Sequence, residues 1–302
     1  MSSKNKKLIV LLGPTASGKT ELAIPLAKKY NGEIISADSM QVYRGMNIGT
    51  SKPTKVQQRE ARHHLIDIVK PDHLFTLAEW QPRAFKAINT CSRKKKIPFL
   101  VGGTGLYLSS IIENYRIPKT KPHAELREKL NMCSKEVLLQ KLKKLDPHTA
   151  KIIDPSNTRR LVRALEHVLI QKTSFAEAGK KEASPYDILI IGIKFDRQQL
   201  YKRIDKRVIA MIRRGLRWEV NRLSSEYGWH LPSMQAIGYK EWKPYFDHRA
   251  DQSGIIRKIQ QNSHKYAKRQ MTWFRGMEKK HLIHWVVDQR LAEIAIRKFL
   301  TK

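Results

Sequence analysis

One eight-residue segment limits the fold of this chain more than any other. It reads Gly13, Pro14, Thr15, Ala16, Ser17, Gly18, Lys19 and Thr20, and it fits the pattern G-x-x-x-x-G-K-[ST]. An apolar run at residues 7–12 precedes it, and apolar residues at helical spacing follow over residues 21–30. In this strand–loop–helix setting, curled backbone N–H groups and a helix N-terminus bind phosphate oxygens. The segment therefore predicts a loop that grips a pyrophosphate group, with Lys19 as a cation and Thr20 as a ligand of Mg²⁺.

Three more apolar runs predict further strands of the same sheet. They cover residues 33–36, 97–101 and 188–193, with helical spacing between them. Alternating strands and helices form parallel sheets that are covered on both faces. We expect an α/β fold with a P-loop parallel sheet core, helices on both faces and a helical insertion domain. Helical spacing marks residues 124–144, 157–171 and 197–223 in particular.

A change of character after Pro118 predicts the start of an inserted domain. The chain has 302 residues, which exceeds one domain of typical size. Lys119, Lys121 and Pro122 form a polar hinge before the helical segments, and the apolar run at 188–193 returns the chain to the sheet. We expect a core of residues 1–118 and 184–302 with basic C-terminal helices, and a helical insertion of residues 119–183.

The charge balance favours a polyanionic partner. Lys and Arg number 59 against 27 Asp and Glu, which gives a formal net charge of +32. Residues 255–302 are the most one-sided, with 12 basic and 3 acidic residues. Nucleic acid is the first expectation and an acidic membrane surface the second, while a lysine-rich composition without a partner is the plain alternative.

Cysteine usage and apolar runs argue against several classes of protein. Cys91 and Cys133 have no C-x-x-C partner, so a zinc site, a redox pair and a disulfide framework are not indicated. No apolar run has the length of a signal peptide's apolar region or of a membrane span. We expect a cytoplasmic protein that does not enter a membrane, and nothing in the sequence requires more than a monomer.

Polar residues follow two predicted strands at the edge where the loop should lie. Asp38 follows the run at 33–36, where a carboxylate can face a ligand, or can cap a turn or a helix. Gln41 can read the edge of an adenine through its amide, or it can cap a turn. The run at 97–101 ends in the glycine-rich turn around Thr104, without the carboxylate that a phosphoryl-transfer enzyme places there for magnesium.

Eight motifs in order along the chain resemble one family, the tRNA dimethylallyltransferases, also called tRNA isopentenyltransferases, of bacterial type. They are GPTASGKT at 13–20, DSMQVYRGMNIGTSKP at 38–53, HHLID at 63–67, VGGTGLYL at 101–108, NTRRLVRALE at 157–166, LYKRIDKRV at 200–208, QAIGYKEW at 235–242 and YAKRQMTWFR at 266–275. The resemblance covers nearly the whole chain. It implies transfer of a dimethylallyl group from dimethylallyl diphosphate to the exocyclic amine of the adenosine 3′ of the anticodon, with release of diphosphate.

The resemblance also implies catalytic roles for three residues. Asp38 matches the family's general base, Thr104 matches a residue near the tRNA, and Arg207 matches an arginine that helps bind the diphosphate. A solvated helix face is the alternative for Arg207, and a plain loop position is the alternative for Thr104. The diphosphate and Mg²⁺ would lie on the loop at 13–20, which also makes ATP a candidate ligand.

Contacts to the anticodon stem-loop of tRNA are implied at two places. At the edge of the sheet they are Asp38, Ser39, Met40, Gln41 and Thr104. In the insertion they are Arg159, Arg160, Leu161, Val162 and Arg163, with Arg127 as a weaker candidate. A solvated helix charge is the alternative for each of these arginines.

Three further groups of residues have their own interpretation. Lys268, Thr272 and Arg275 fall on one face of a predicted helix, with Tyr266 and Trp273 on an adjacent face, which suits phosphate contact backed by packing. His63 and His64 have no third ligand in view and are interpreted as structural. Asn47, Ser51 and the pair His264-Lys265 depart from the family's usual residues, which puts fine tRNA contacts in doubt rather than the reaction.

Two other functions stay open at this point. One is a small-molecule enzyme, either a kinase that uses ATP or an isopentenyltransferase that acts on free adenine nucleotides. The insertion and the basic tail argue against it. The other is a nucleic-acid-binding NTPase without transferase activity, and the missing acidic strand end argues against that.

Overall fold

The computed structural model describes residues 6–117 and 123–301. The predicted hinge at Pro118, Lys119, Lys121 and Pro122 lies outside the described residues. The chain divides into two units, one of residues 1–112 and 184–302 and one of residues 113–183. We call the first unit the core and the second unit the insertion.

The core is built on six strands. They are β1 Lys6–Leu12, β2 Gly32–Ala37, β3 His63–His64, β4 Ile97–Gly102, β5 Tyr186–Ile193 and β6 Ile283–Val286. The strands form one sheet in the order β3-β2-β4-β1-β5-β6, and every pairing is parallel. This confirms the predicted α/β class with its parallel sheet.

Helices connect the strands and fill the insertion. In the core they are α1 Lys19–Lys29, α2 Lys55–Glu60, α3 Leu77–Arg93, α4 Gly105–Ile112, α10 Arg197–Arg213, α11 Leu216–Tyr227, α12 Lys243–Phe246, α13 Gln252–Glu278 and α14 Gln289–Leu300. In the insertion they are α5 Ala124–Asn131, α6 Lys135–Leu145, α7 Pro147–Ile152, α8 Thr158–Gln171 and α9 Phe175–Ala178. No helix in the described ranges is long and apolar enough to cross a membrane.

Apolar packing covers both faces of the sheet, because successive side chains of a strand point to opposite sides. Leu8 and Val10 of β1 join a large cluster with buried residues of α3, α4, α10, α11 and α13. Ile9 and Leu11 join a smaller cluster with buried residues of α1 and α14. Each fully buried large apolar side chain contributes about 1.5–3 kcal/mol. The carboxyl ends of the strands are therefore held rigidly beneath the loops that follow them.

Two helical segments that the sequence predicts as continuous are each split in two. The segment at 197–223 breaks at Gly215, whose φ of 91° lies in the left-handed region where helices end. The segment at 124–144 breaks before Ser134, whose Oγ accepts a hydrogen bond from Val137 N and so begins α6. The edge strands β3 and β6 are additional to the predicted strands, because they are too short for a clear alternation.

Candidate active site

The loop after β1 has the backbone form of an anion-binding loop. Ala16 has a φ of 60° and Gly18 a φ of 91°, a region that favours glycine. A Cβ on Gly13 would lie 2.6 Å from Oγ of Ser17, so the turn is tight there as well. Helix α1 begins at Lys19, and its first N–H groups have no intrahelical acceptor. These groups and the helix dipole together attract a negatively charged ligand.

Lys19 is folded onto the loop that carries it. Its Nζ donates to the carbonyl oxygens of Gly13 at 2.9 Å and Pro14 at 2.7 Å. Burial, and then the nearby charge of Arg207, lower the pKa of Lys19 to about 8, against smaller opposing effects of Asp38 and Glu21. An anion on the loop would replace the two carbonyl contacts with stronger charge-assisted hydrogen bonds.

Asp38 lies in the same pocket as Lys19 and Thr20. Its Oδ1 accepts hydrogen bonds from the backbone N–H groups of Met40 at 2.8 Å and Gln41 at 3.3 Å. Within the described part of the chain, its Oδ2 accepts no hydrogen bond. One carboxylate therefore caps a turn with one oxygen and keeps the other available to a ligand.

Arg207 reaches the phosphate loop from α10. Its Nη1 donates to Oγ1 of Thr15 at 3.3 Å, and its Nε donates to Oγ of Ser51 at 2.6 Å. Burial lowers the pKa of Arg207, while Asp38 and Glu21 oppose the change. A guanidinium nevertheless stays charged at any pH at which proteins fold. The loop thus carries Lys19 of its own and is contacted by Arg207 from a distant helix.

The glycine turn after β4 lies against the end of β2. A Cβ on Gly102 would lie 2.2 Å from the carbonyl oxygen of Ala37, so only glycine fits there. Oγ1 of Thr104 accepts from Ser39 N at 3.3 Å, and Thr104 N donates to the Ala37 carbonyl at 3.3 Å. Thr104 and the turn that contains Asp38 are therefore directly joined.

Two residues of α13 belong to this site although the sequence did not single them out for it. Gln270 is 6% exposed, accepts from Thr15 N at 2.8 Å and donates to the Gly103 carbonyl at 2.8 Å. Tyr266 bonds to Thr104 and Gln270, and burial raises its pKa to about 12. The sequence predicted only packing for Tyr266. A buried glutamine within an amphipathic helix was the one available signal, and it did not indicate which loops the amide would join.

A second loop, at residues 44–53, is held by a buried carboxylate on α11. Glu219 is 8% exposed, and its oxygens accept from the backbone N–H groups of Asn47, Ile48 and Gly49 at 2.9–3.1 Å. Tyr239 adds a hydrogen bond from its hydroxyl at 2.7 Å. This loop carries Ser51, the acceptor of the Arg207 hydrogen bond. Glu219 therefore anchors the segment that orients Arg207.

Comparison with known proteins decides the family. A family model described as IPP transferase matches residues 41–277. The tRNA dimethylallyltransferase of Bacillus pumilus (strain SAFR-032) is 45% identical over 282 residues, which are 91% of this chain and 89% of that protein. The chain belongs to the IPP transferase family.

Two solved structures are similar to this IPP transferase family member. One is the full-length tRNA isopentenylpyrophosphate transferase from Bacillus halodurans, with a TM-score of 0.73, 39% identity, and coverage of 99% of this chain and 97% of that one. The other is a eukaryotic dimethylallyltransferase acting on tRNA, with a TM-score of 0.78, 30% identity, and coverage of 89% and 69%. The family resemblance stated from the motifs is therefore confirmed.

The insertion of this IPP transferase family member presents some of the expected tRNA contacts and buries others. Arg159 and Arg160 are exposed on α8. Leu161 and Val162 are 0% and 4% exposed and pack in the insertion's own apolar cluster, so their side chains are unavailable to a ligand. We keep the exposed arginines as proposed contacts and not the two apolar side chains.

One buried carboxylate in the insertion holds two of the expected arginines. Arg127 contacts Glu166 with Nε at 2.7 Å and Nη2 at 2.9 Å, and Arg163 contacts the same carboxylate with Nη1 at 2.8 Å. The bidentate geometry ties the charge of Arg127 to Glu166. Arg163 has an exposed side chain and can still turn a guanidinium edge to solvent.

The oxygen donors beside the loop fit Mg²⁺ better than the one metal-ligand cluster of the described residues. Thr20 lines the pocket with Asp38 and Ser36, and hydroxyl and carboxylate oxygens are the donors that Mg²⁺ prefers. The cluster contains Glu33 near the amino end of β2, together with His64 of β3 and Cys91 of α3. Glu33 there is already bonded to His64 at 2.6 Å and to Lys96 at 2.8 Å, so its charge is compensated within the protein.

Proposed function

We propose that this protein transfers a dimethylallyl group from dimethylallyl diphosphate to the exocyclic amine of the adenosine 3′ of the anticodon in tRNA, with release of diphosphate. The observation that carries the proposal is the shared pocket of Lys19, Thr20 and Asp38, with Arg207 bonded to the loop at Thr15. This displacement requires a leaving-group site and a base at the same edge of the sheet, and here they follow β1 and β2, the two strands that flank β4. The family membership supports the same reaction.

The phosphate loop would stabilise the leaving group. As the bond between the allylic carbon and the diphosphate oxygen breaks, negative charge grows on the diphosphate. Amides of the loop, Lys19 and Arg207 would absorb that charge. Mg²⁺, held by Thr20 and by the diphosphate itself, would add further charge compensation when bound.

Asp38 would act on the nucleophile. The adenosine amine forms the new carbon–nitrogen bond, and its surplus proton passes to Oδ2 of Asp38. Oδ1 stays hydrogen-bonded to Met40 N and Gln41 N, which fixes the plane of the carboxylate. Thr104, held by Tyr266 and by the turn at Ser39, would help place the adenosine.

Binding of tRNA would supply the energy to expose the target base. Extruding a stacked base costs a few kcal/mol. We propose that exposed basic residues provide it by contacts to phosphates, with Arg159, Arg160 and Arg163 of the insertion as the first candidates and Arg127 as a weaker one. Contacts from Ser39, Met40 and Gln41 would then act close to the base. Such binding weakens steeply as salt is raised, because counterions are released from the RNA.

One incubation distinguishes this reaction from the alternatives. The protein is mixed with unmodified tRNA, Mg²⁺ and either dimethylallyl diphosphate or ATP. The tRNA is then digested to nucleosides, whose masses are measured by mass spectrometry. We expect one added dimethylallyl group on an adenosine, only with the allylic donor. ATP consumption without nucleoside modification would contradict the proposal. We also propose that the protein is cytoplasmic and monomeric. Light scattering on the free protein and on the complex would check the oligomeric state.

A further inference from the structure

Trp218 is the most exposed tryptophan of the described chain. It presents 66% of its surface to solvent at the start of α11, whereas Trp80 and Trp242 are fully buried. An exposed indole offers a flat face on which a nucleic-acid base can stack. No described residue covers this ring completely, and the site proposed above does not use it.

Arginines precede Trp218 along the chain. The segment 213–218 reads Arg-Arg-Gly-Leu-Arg-Trp, and the carboxylate that follows it, Glu219, is buried on the amides of the loop at 44–53. The guanidinium carbon of Arg217 lies 4.6 Å from the centre of the indole ring, and Nη1 of Arg217 donates to the hydroxyl of Tyr245 at 3.0 Å. Arg217 is thus fixed over the ring. One turn further, Arg222 donates to the Gly45 carbonyl at 3.2 Å, and its Nη1 lies 3.5 Å from Glu226.

This surface continues from the proposed active site. Arg214 lies two turns after Arg207 on the same face, and its charge acts on Arg207. Glu219, next to Trp218, holds the amides of the loop at 44–53 that carries Ser51. Trp218 is therefore the chain neighbour of the residue that anchors the loop carrying Ser51, the partner of Arg207.

We propose that Trp218, fixed by Arg217 and flanked by Arg214, is a stacking platform for an unpaired base of the tRNA loop. The proposal rests on the proposed function, since extrusion of the target adenosine removes a stacking partner from its neighbours. An exposed indole replaces that lost stacking without regard to base identity, and the arginines neutralise the adjoining phosphates. The net charge of +32 favours a polyanionic partner. The exposed indole ring favours RNA over an acidic protein, because an unpaired base brings both a phosphate for the arginines and a flat face for the ring.

The test compares variants of Trp218 for their affinity for tRNA. Loss of one base–aromatic stack weakens binding about 5- to 100-fold, so Trp218→Ala should raise the Kd for an anticodon stem-loop by that factor. Trp218→Phe should keep most of the affinity, and Trp218→Leu should lose it, because leucine is apolar but cannot stack. Leu282→Ala, at a residue that is 76% exposed on another part of the core, is the matched control and should bind as the parent does.

A fluorescent base shows whether the contact is a stack. With 2-aminopurine placed in turn at the nucleotides beside the target adenosine, one position should be quenched by the parent protein and brightened in Trp218→Ala. The KM for dimethylallyl diphosphate should not change. Equal tRNA affinity of parent and Trp218→Ala, full affinity in Trp218→Leu, or a change in the diphosphate KM alone would each overturn the platform. Nucleoside modification by the parent tests the proposed function separately, because binding is measured without turnover.

Discussion

The two ends of the central sheet both hold charged side chains, and they differ in how those charges are matched. At the amino ends, Glu33 has Lys96 and His64 as hydrogen-bond partners and Arg62 nearby at 3.9 Å. At the carboxyl ends, Lys19 and Arg207 hydrogen-bond only to neutral oxygens, and within the described residues they form no salt bridge with Asp38 or Glu21, whose charges act on both. A cluster of paired charges stabilises the fold, whereas cations without an ion-pair partner can bind an anion. The two ends of the sheet therefore differ in whether their charges are paired within the protein, and the unpaired cations mark the end that we propose binds the diphosphate.

The largest effect should come from Asp38→Asn. Asparagine keeps an oxygen for the N–H groups of Met40 and Gln41 but cannot accept a proton, so transfer should slow by about 10²- to 10⁴-fold. Binding of dimethylallyl diphosphate and of tRNA should change little, and so should thermal stability. Single-turnover rates and separate binding measurements check this. A variant as fast as the parent would remove Asp38 from the mechanism.

The matching change at the other end of the sheet is Glu33→Gln, and it should act on stability instead. Burial alone raises the pKa of Glu33, but hydrogen bonds from Lys96 and His64 outweigh it and lower the pKa from 4.5 to about 2. This lowering of the Glu33 pKa from 4.5 to about 2 corresponds to about 3 kcal/mol of folding stability. Because the pKa is depressed in the folded state, this stability is present above about pH 4.5 and is lost as the pH falls towards 2.

The measurement is denaturant unfolding of parent and Glu33→Gln at neutral and acidic pH. We expect a loss of up to about 3 kcal/mol at neutral pH that shrinks as the pH falls, with an unchanged transfer rate at temperatures where both variants are folded. A large loss of activity in the folded variant would show that the two ends are not independent, and the contrast would fail.

Glu219 offers a test of how the loop at 44–53 serves Arg207. Glu219→Gln should weaken the hydrogen bonds from the backbone amides of Asn47, Ile48 and Gly49. We expect kcat/KM for dimethylallyl diphosphate to fall about tenfold. Glu219→Asp should recover little, because its shorter side chain does not reach all three amides. In combination with Arg207→Lys, the losses should be less than additive if Glu219 acts through Arg207. Strict additivity would mean that Glu219 only stabilises the fold.

The effect that is smallest at neutral pH concerns the charge of Lys19. Burial and Arg207 lower the pKa of Lys19 to about 8, so the free enzyme loses this charge as the pH rises through that value. The Kd for diphosphate should then rise, by up to about tenfold for each pH unit above 8. Calorimetry should also show proton uptake on binding at pH 9. A Kd that stays level between pH 7 and 9.5 would contradict a role for Lys19 charge.

The sequence predicted the loop, the strand ends and the parallel sheet, because each depends on residues that are close along the chain. Apart from Arg207, which the family resemblance implied, it did not predict which helix residues reach the loop. Gln270 bonds to Thr15 across 255 positions, and Glu219 bonds to Asn47 across 172, so no local pattern could pair them. The break at Gly215 was also not predicted, because the apolar spacing continues across it and does not reveal the positive φ of this glycine, which ends the helix.

Orientation within helices was the other weak point. The motif at 157–166 implied both Leu161 and Arg160 as tRNA contacts. The packing of the helix buries Leu161 in the insertion and leaves Arg160 exposed to solvent. His63 lines the pocket with Asp38, and its Nδ1 donates to the Ala61 carbonyl at 2.7 Å. Its interpretation as a structural residue stays a prediction.

The most direct test is a crystal structure with an anticodon stem-loop and a thio analogue of dimethylallyl diphosphate that cannot react. We expect the diphosphate on the amides at 13–20 between Lys19 and Arg207, with the allylic carbon and the adenosine amine both next to Oδ2 of Asp38. A diphosphate bound elsewhere, or an Asp38 carboxylate turned away from the allylic carbon, would contradict it.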